Sequence, residues 1–264
     1  MKLIVSSRVD EASVNIRRAL IDDFEELDGY FRHRDKDIAL MDIEDMHINH
    51  DRVDEEFEEL SGVKPDFVVF ISKHSSERAI DTITVHPIGN YDKASLGGRD
   101  FSVVCSEPYY MTETLRNMQG TGFTASFECT HHGPYLESPA FFAEIGSDEK
   151  AWKDSAKADA VARSLLGALS SESRDEIEAI AIGGGHYMPA PTALVARKKI
   201  SFGHMIPNYR LSRRAIEIIK EKDDVRYAYM DKKAVKKDFD LYEMRRILHD
   251  LGIEEIDSKS VPDL

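Results

Sequence analysis

The chain has 264 residues, 42% hydrophobic and 32% charged; this balance fits a folded globular protein and excludes a disordered one. No apolar run approaches the roughly 20 residues of a membrane span, and the opening MKLIVSSRVD is too short for a signal-peptide core, so a cytoplasmic protein without a membrane partner is expected. The formal net charge of −14 argues against non-specific binding to nucleic acid, and any RNA partner has to be held by local basic surface.

In chain order, residues 3–7 read as a short buried strand, and residues 11–24 as a loosely helix-spaced segment. Residues 38–43 are a second strand. Residues 67–71 form an unbroken apolar run, typical of a strand buried on both faces. Further strands are expected over 80–85, 101–105, 122–129 and 141–145. The clearest helix covers 149–169, with Asp148 as its cap. Residues 177–182 form a strand running into Gly183-Gly184-Gly185. A basic amphipathic helix follows over 211–220, with Ser212 or Asn208 as cap. A strand over 225–230 and a helix over 239–251, closed by Gly252, complete the pattern. Residues 257–264 read as a polar tail. With no repeat and no linker, residues 1–264 form a single α/β domain: a mixed, mostly parallel central sheet flanked by helices.

Polar motifs begin where apolar strands end: Ser72-Lys73-His74-Ser75-Ser76, His86-Pro87-Ile88-Gly89-Asn90, Thr130-His131-His132-Gly133-Pro134 and Gly183-Gly184-Gly185-His186-Tyr187. If the strands run parallel, these motifs gather on one rim, beyond the carboxyl ends where open α/β sheets bind ligands. Six of the ten histidines (His74, His86, His131, His132, His186, His204) fall in or near these segments, whereas His33, His47, His50 and His249 read as surface or loop residues. Imidazole is the commonest metal ligand and the usual acid or base near neutral pH. Glu128 and Glu137 flank the histidine pair and could complete a zinc set with an open position. Adjacent strand residues face opposite ways, so His131 and His132 reach one site only if the chain leaves the sheet at Gly133-Pro134.

The backbone N–H groups of Gly183–Gly185 could hold an oxyanion, or the glycines could form only a tight turn. GxGxxG and GxxxxGK[ST] are both absent, which disfavours nucleotide hydrolysis. Gly97-Gly98-Arg99 reads as a hairpin turn. Ser75, Ser76 and Cys129 are alternative nucleophiles, but no GxSxG surrounds the serines. Cys105 and Cys129 are the only cysteines and are expected as reduced thiols. Basic residues cluster late: Arg197, Lys198 and Lys199; Arg210, Arg213 and Arg214 beside Tyr209; and Lys232, Lys233, Lys236 and Lys237. Such clusters in an acidic protein can steer a polyanion.

Taken together, KHSS at 73–76, HPIGN at 86–90, ECTHHGP at 128–134 and GGGHYMP at 183–189 resemble the archaeal and plant-type D-aminoacyl-tRNA deacylases. The resemblance implies hydrolysis of the ester joining a D-amino acid to the tRNA 3′ end, a zinc cofactor, and a fold similar to peptidyl-tRNA hydrolases and nucleoside phosphorylases. On that reading zinc is held by some of His86, His131, His132 and His186 with Glu128. His74, His131, His132, Gly184 and Gly185 take catalytic roles, and Arg210, Arg213 and Arg214 hold the acceptor stem of a tRNA bound by a monomer. Metal-free hydrolysis, with the RNA's terminal hydroxyl or a histidine-activated water as nucleophile, is the alternative mechanism. A metal-dependent carboxypeptidase or amidohydrolase and a non-enzymatic tRNA-binding module are the alternative functions.

Overall fold

The computed structural model describes residues 1–75, 80–172 and 175–264. The first apolar run forms strand β1 (Lys2–Ser7), and Asp10 then caps helix α1 (Glu11–Leu20) by accepting from Ser13 N. The segment expected as one helix to residue 24 instead tightens into a 3-10 turn and enters β2 (Phe24–Glu26), followed by β3 (Phe31–His33) and β4 (Ile38–Ile43). Next come α2 (Val53–Ser61), β5 (Phe67–Lys73) and β6 (Ile83–Pro87). A small ribbon, β7 (Gly89–Asn90) and β8 (Ser102–Val103), precedes α3 (Pro108–Gln119), β9 (Ala125–Phe127) and β10 (Ala140–Ile145).

The long helix expected over 149–169 is two helices, α4 (Glu149–Trp152) and α5 (Ser155–Leu169). Asp148 caps the first. Asp154 caps the second through Ala156 N and Lys157 N, so an internal capping residue restarts the helix. The remainder is β11 (Ile177–Ile182), α6 (Pro189–Val195), β12 (Ile200–Ile206), α7 (Arg213–Lys220), β13 (Tyr227–Met230), α8 (Lys232–Val235), α9 (Leu241–Asp250) and β14 (Glu254–Ile256).

Eight strands form a sheet in the order β2-β3-β4-β1-β5-β10-β6-β9, and four more form β12-β11-β13-β14. In the large sheet β4, β1, β5 and β10 are parallel; the smaller sheet is parallel throughout. β6 runs antiparallel to β10, and β9 follows β6. The fold is therefore mixed α/β and mostly parallel.

Strand β5 is buried on both faces, as its unbroken apolar run requires. Val69 and Ile71 join a core with α1, α3 and α5, whereas Val68 and Phe70 pack on the other face with Val53 and Phe57 of α2. The first of these cores also takes in Ala179, Ala181, Phe202 and Met205 of the smaller sheet. The opposite face of the smaller sheet packs on α7 and α9 through Ile216, Ile219, Met244 and Leu248. The segment expected as a polar tail is docked: Val261 is buried, Lys199 N donates to Pro262 O, and Lys198 bridges to Asp263.

Candidate active site

The four strand-end motifs do converge, but not on a parallel rim. β6 and β9 run opposite to β5 and β10, so His86 lies opposite Phe142, inside the sheet rather than beyond its end. The period of two within strands gathers the site instead. Cross-strand register puts Ser72, Thr84 and Glu144 level with one another, and His86 and Glu128 follow Thr84 and Ser126 on the same face. The polar end of one sheet face thus becomes the floor of the site. Glu128 and Glu144 are buried there, with Glu144 accepting from Ser72 Oγ at 2.8 Å.

His131 and His132 stand above this floor. His131 forms a bridge to Ile88; His132 then takes a left-handed φ of 41° before Gly133. That turn takes the chain out of the strand and lets both rings face one way, with centroids 4.3 Å apart. His86 packs 4.1 Å from His131 and stacks on Phe142 at 4.9 Å.

The smaller sheet supplies the opposite wall. Beyond β9 the chain is knitted to the segment following β11: Cys129 N donates to His186 O, and Met188 N to Phe127 O. This brings His186 Nε2 within 2.9 Å of Glu128 Oε2. His74, just past β5, puts Nδ1 at 3.2 Å from the same oxygen and Nε2 at 3.1 Å from the Tyr187 hydroxyl.

The tautomers of three rings follow from their neighbours. Nδ1 of His86, His131 and His132 faces the carbonyl oxygen of Pro87, Cys129 and Gly133 at 3.0, 2.7 and 2.6 Å respectively. A carbonyl only accepts, so each Nδ1 carries the proton and each Nε2 keeps its lone pair. Burial, reinforced by His86, pushes His131 well below its ordinary value and His132 down to about 4. The other two rings lean the opposite way. Burial opposes the charge on His74, but Glu128 and Glu144 outweigh it and raise its pKa. For His186, Cys129 and Glu128 overcome burial and raise it to about 10. Contact with His186 and His74 likewise holds the Glu128 carboxyl well below its usual range despite its burial.

His86, Glu128 and Glu144 offer ligand atoms within 4.8 Å of one another, as do His86, His131 and His132; His74, Glu128 and His186; and Cys129, His131 and His186. His86 Nε2, both Glu128 oxygens and Glu144 Oε2 are buried without an aligned hydrogen-bond partner.

Other expected residues lie elsewhere. His204 is buried in β12, accepting from Thr130 Oγ1 and donating to Val104 O, and so does not face the cluster. Glu137 is turned away, bound by the Tyr135 hydroxyl and Lys222. Gly183 N and Gly184 N are taken by Ile206 O and Asn208 Oδ1, so of the three glycines only Gly185 keeps an unbonded N–H among the described residues. Arg210, Arg213 and Arg214 are on the surface, each against a carboxylate. Gly97 and Gly98 do join the β7–β8 ribbon, but they also press against Gly133. Ser75 is exposed beside His74, and Ser76 lies outside the described residues. Cys129 is buried, with Sγ 3.8 Å from His186 Nδ1 and 3.5 Å from the Tyr209 hydroxyl. Sequence reasoning missed Glu144; its signal is a lone carboxylate inside the apolar strand 140–145. His33 and His47, expected on the surface or in loops, are both buried.

The D-aminoacyl-tRNA deacylase family model matches residues 61–256. The D-aminoacyl-tRNA deacylase of Thermococcus kodakarensis is 34% identical over an alignment 273 positions long, covering 97% of this chain and 99% of that one. That of Picrophilus torridus is 38% identical over 215 residues, covering 79% and 80%. A crystal structure of a conserved protein of unknown function has a TM-score of 0.86 at 29% identity, over 99% of this chain and 96% of that one. This chain belongs to the D-aminoacyl-tRNA deacylase family.

Proposed function

We propose that this protein hydrolyses the ester bond of D-aminoacyl-tRNA at the 3′ end, releasing free D-amino acid and tRNA, as a monomeric translation quality-control enzyme of the cytoplasm. Family membership supports the substrate. No helix among the described residues is long and apolar enough to cross a membrane. The observation that carries the chemistry is the set of three imidazoles whose Nδ1 protons are fixed by carbonyls, leaving Nε2 lone pairs beside two buried carboxylates.

That donor set fits zinc. His86 Nε2, Glu128 Oε1 and Glu144 Oε2 are buried acceptors with no donor, a costly arrangement that a cation relieves. His86, His131 and His132 would hold the ion, with Glu144 beside His86 as the further ligand to hand. When bound, zinc supplies Lewis-acid polarisation of the ester carbonyl and activates water.

The chain's own residues provide the proton handling. Water adds to the ester carbonyl and gives its proton to a carboxylate; Glu128, held ionised by His74 and His186, is the acceptor. His186 carries a proton and is the most open ring of the cluster, so it donates to the departing 3′ oxygen. Gly185 N–H is free to face the oxyanion. One bond to the 3′ oxygen breaks, one bond to the water oxygen forms, and the products are the carboxylic acid and the ribose hydroxyl.

The test follows ester loss from matched D- and L-aminoacyl-tRNA. Rapid loss of the D ester alone is expected, and equal rates on both would reject stereospecific proofreading. Verified zinc removal should abolish turnover; full deacylation by the metal-free protein sinks the zinc assignment.

A further inference from the structure

Positive charge around the site is not distributed as residue type suggests. Arg210 pairs with Asp92 at 3.0 Å, Arg213 with Glu217 at 2.9 Å and Asp250 at 3.1 Å, and Arg214 with Glu221 at 2.5 Å. A phosphate approaching these guanidiniums also approaches the carboxylates. Lys232 is likewise held by Glu255 at 3.0 Å and Asp257 at 3.4 Å. Lys233, Lys236 and Lys237 differ: all three are exposed, and none pairs with a carboxylate among the described residues. The neighbouring carboxylates are engaged with other groups. Asp231 accepts from Lys233 N and Ala234 N, Asp238 from Asn208 Nδ2, and Asp240 from Glu243 N.

These lysines belong to the turn that supports the site. α8 packs directly on the glycine loop leading to His186: a Cβ added at Gly183 would lie 2.7 Å from Val235 Cγ2 and 3.2 Å from Asp231 O. Asn208 ties the two segments, accepting from Gly184 N at 2.9 Å and donating to Ala234 O at 2.7 Å. The next residue, Tyr209, reaches Cys129 Sγ with its hydroxyl while 61% of the residue stays exposed. β11, β12 and β13 are parallel, and the loops leaving their carboxyl ends carry His186, Tyr209 and the lysines in turn. A basic, unneutralised patch therefore sits on the turn that packs against the loop carrying His186.

We propose that Lys233, Lys236 and Lys237 form the surface that receives the phosphate backbone of the tRNA acceptor arm, and that Arg213 and Arg214 do not contribute. This rests on the tRNA reading above and names where that partner sits. Ammonium groups serve as point-charge phosphate binders. Each phosphate contact releases counterions and steepens the salt dependence of binding.

The experiment measures fluorescence anisotropy of labelled, uncharged tRNA with the full-length protein across roughly 50–200 mM salt, the span over which phosphate contacts are strongly screened. The triple variant K233Q/K236Q/K237Q should lose about tenfold or more in affinity at low salt. Its log–log salt slope should flatten by about 2 to 3. R213Q/R214Q should bind within about twofold of wild type. Unchanged affinity and slope in the lysine variant overturn the proposal, as does an equal loss in the arginine variant. Uncharged tRNA needs no ester chemistry. Lysine-dependent binding without D-specific deacylation therefore overturns the activity alone. Deacylation with lysine-independent binding overturns this surface alone.

Discussion

At the scale of residues, the site depends on what stands behind each imidazole. Carbonyl oxygens fix the protons of His86, His131 and His132, and the carboxylate of Glu128 draws charge onto His74 and His186. Five similar side chains thus divide into lone-pair donors and proton carriers. His47 is a different case. Its ring lies edge-on to Phe70 and Phe142, behind the site, and neither nitrogen has an aligned partner. Burial drives it from 6.5 to about 3, and His132 adds to the shift. The unfolded chain therefore binds an extra proton between those values. Stability is fully present above pH 6.5 and is lost as pH falls, by about 1.4 kcal/mol per pH unit. His47→Phe removes that term, so its melting temperature should decline less than that of wild type between pH 6.5 and 4.5. Parallel decline in both proteins would refute this account of the acid sensitivity.

At the scale of elements, much of the architecture was legible. The residues 38–43 and 177–182 form strands with the expected bounds, because each is apolar except for a single carboxylate, Asp42 or Glu178. Ser212 caps α7, and Gly252 follows α9 with φ 68°. Two classes of feature were not legible. Helix α3 went unread although Pro108 starts it and Met111, Leu115 and Met118 are helix-spaced, and β12 went unread because Gly203 and His204 interrupt its apolar pattern. The direction of β6 is set by pairing with β10, a partner more than fifty residues away, and no local pattern encodes it. The histidine cluster was legible as motifs, whereas Glu144 needed the register of three strands. The glycines show the same limit. Gly97-Gly98 reads locally as a turn, yet a Cβ on Gly133 would lie 2.2 Å from Gly98 N and 2.4 Å from Gly97 C. Gly133→Ala should therefore destabilise the protein by about 1–3 kcal/mol and displace His132, lowering both melting temperature and turnover. An alanine variant with wild-type melting would show that the backbones yield without cost.

At the scale of the whole molecule, the two sheets are joined through a shared core, with Phe127 of one packing edge-on against Phe202 of the other at 6.2 Å. The last residues add to this union, since Val261 is buried in the same core. None of this long-range docking is encoded in periodicity, which reports faces but not which faces meet. The site inherits it: His74, His86, Glu128, His131, His132 and Glu144 come from the large sheet and its loops, and His186 is brought by the smaller one.

The contact of His186 with Glu128 therefore doubles as a molecular gauge. Any loosening of one sheet from the other, by heat or denaturant, separates the proton carrier from its carboxylate before either sheet has to melt. On heating, turnover should vanish several degrees below the temperature at which far-ultraviolet circular dichroism is lost. Turnover lost only together with the far-ultraviolet signal would mean that the two sheets part only when they melt.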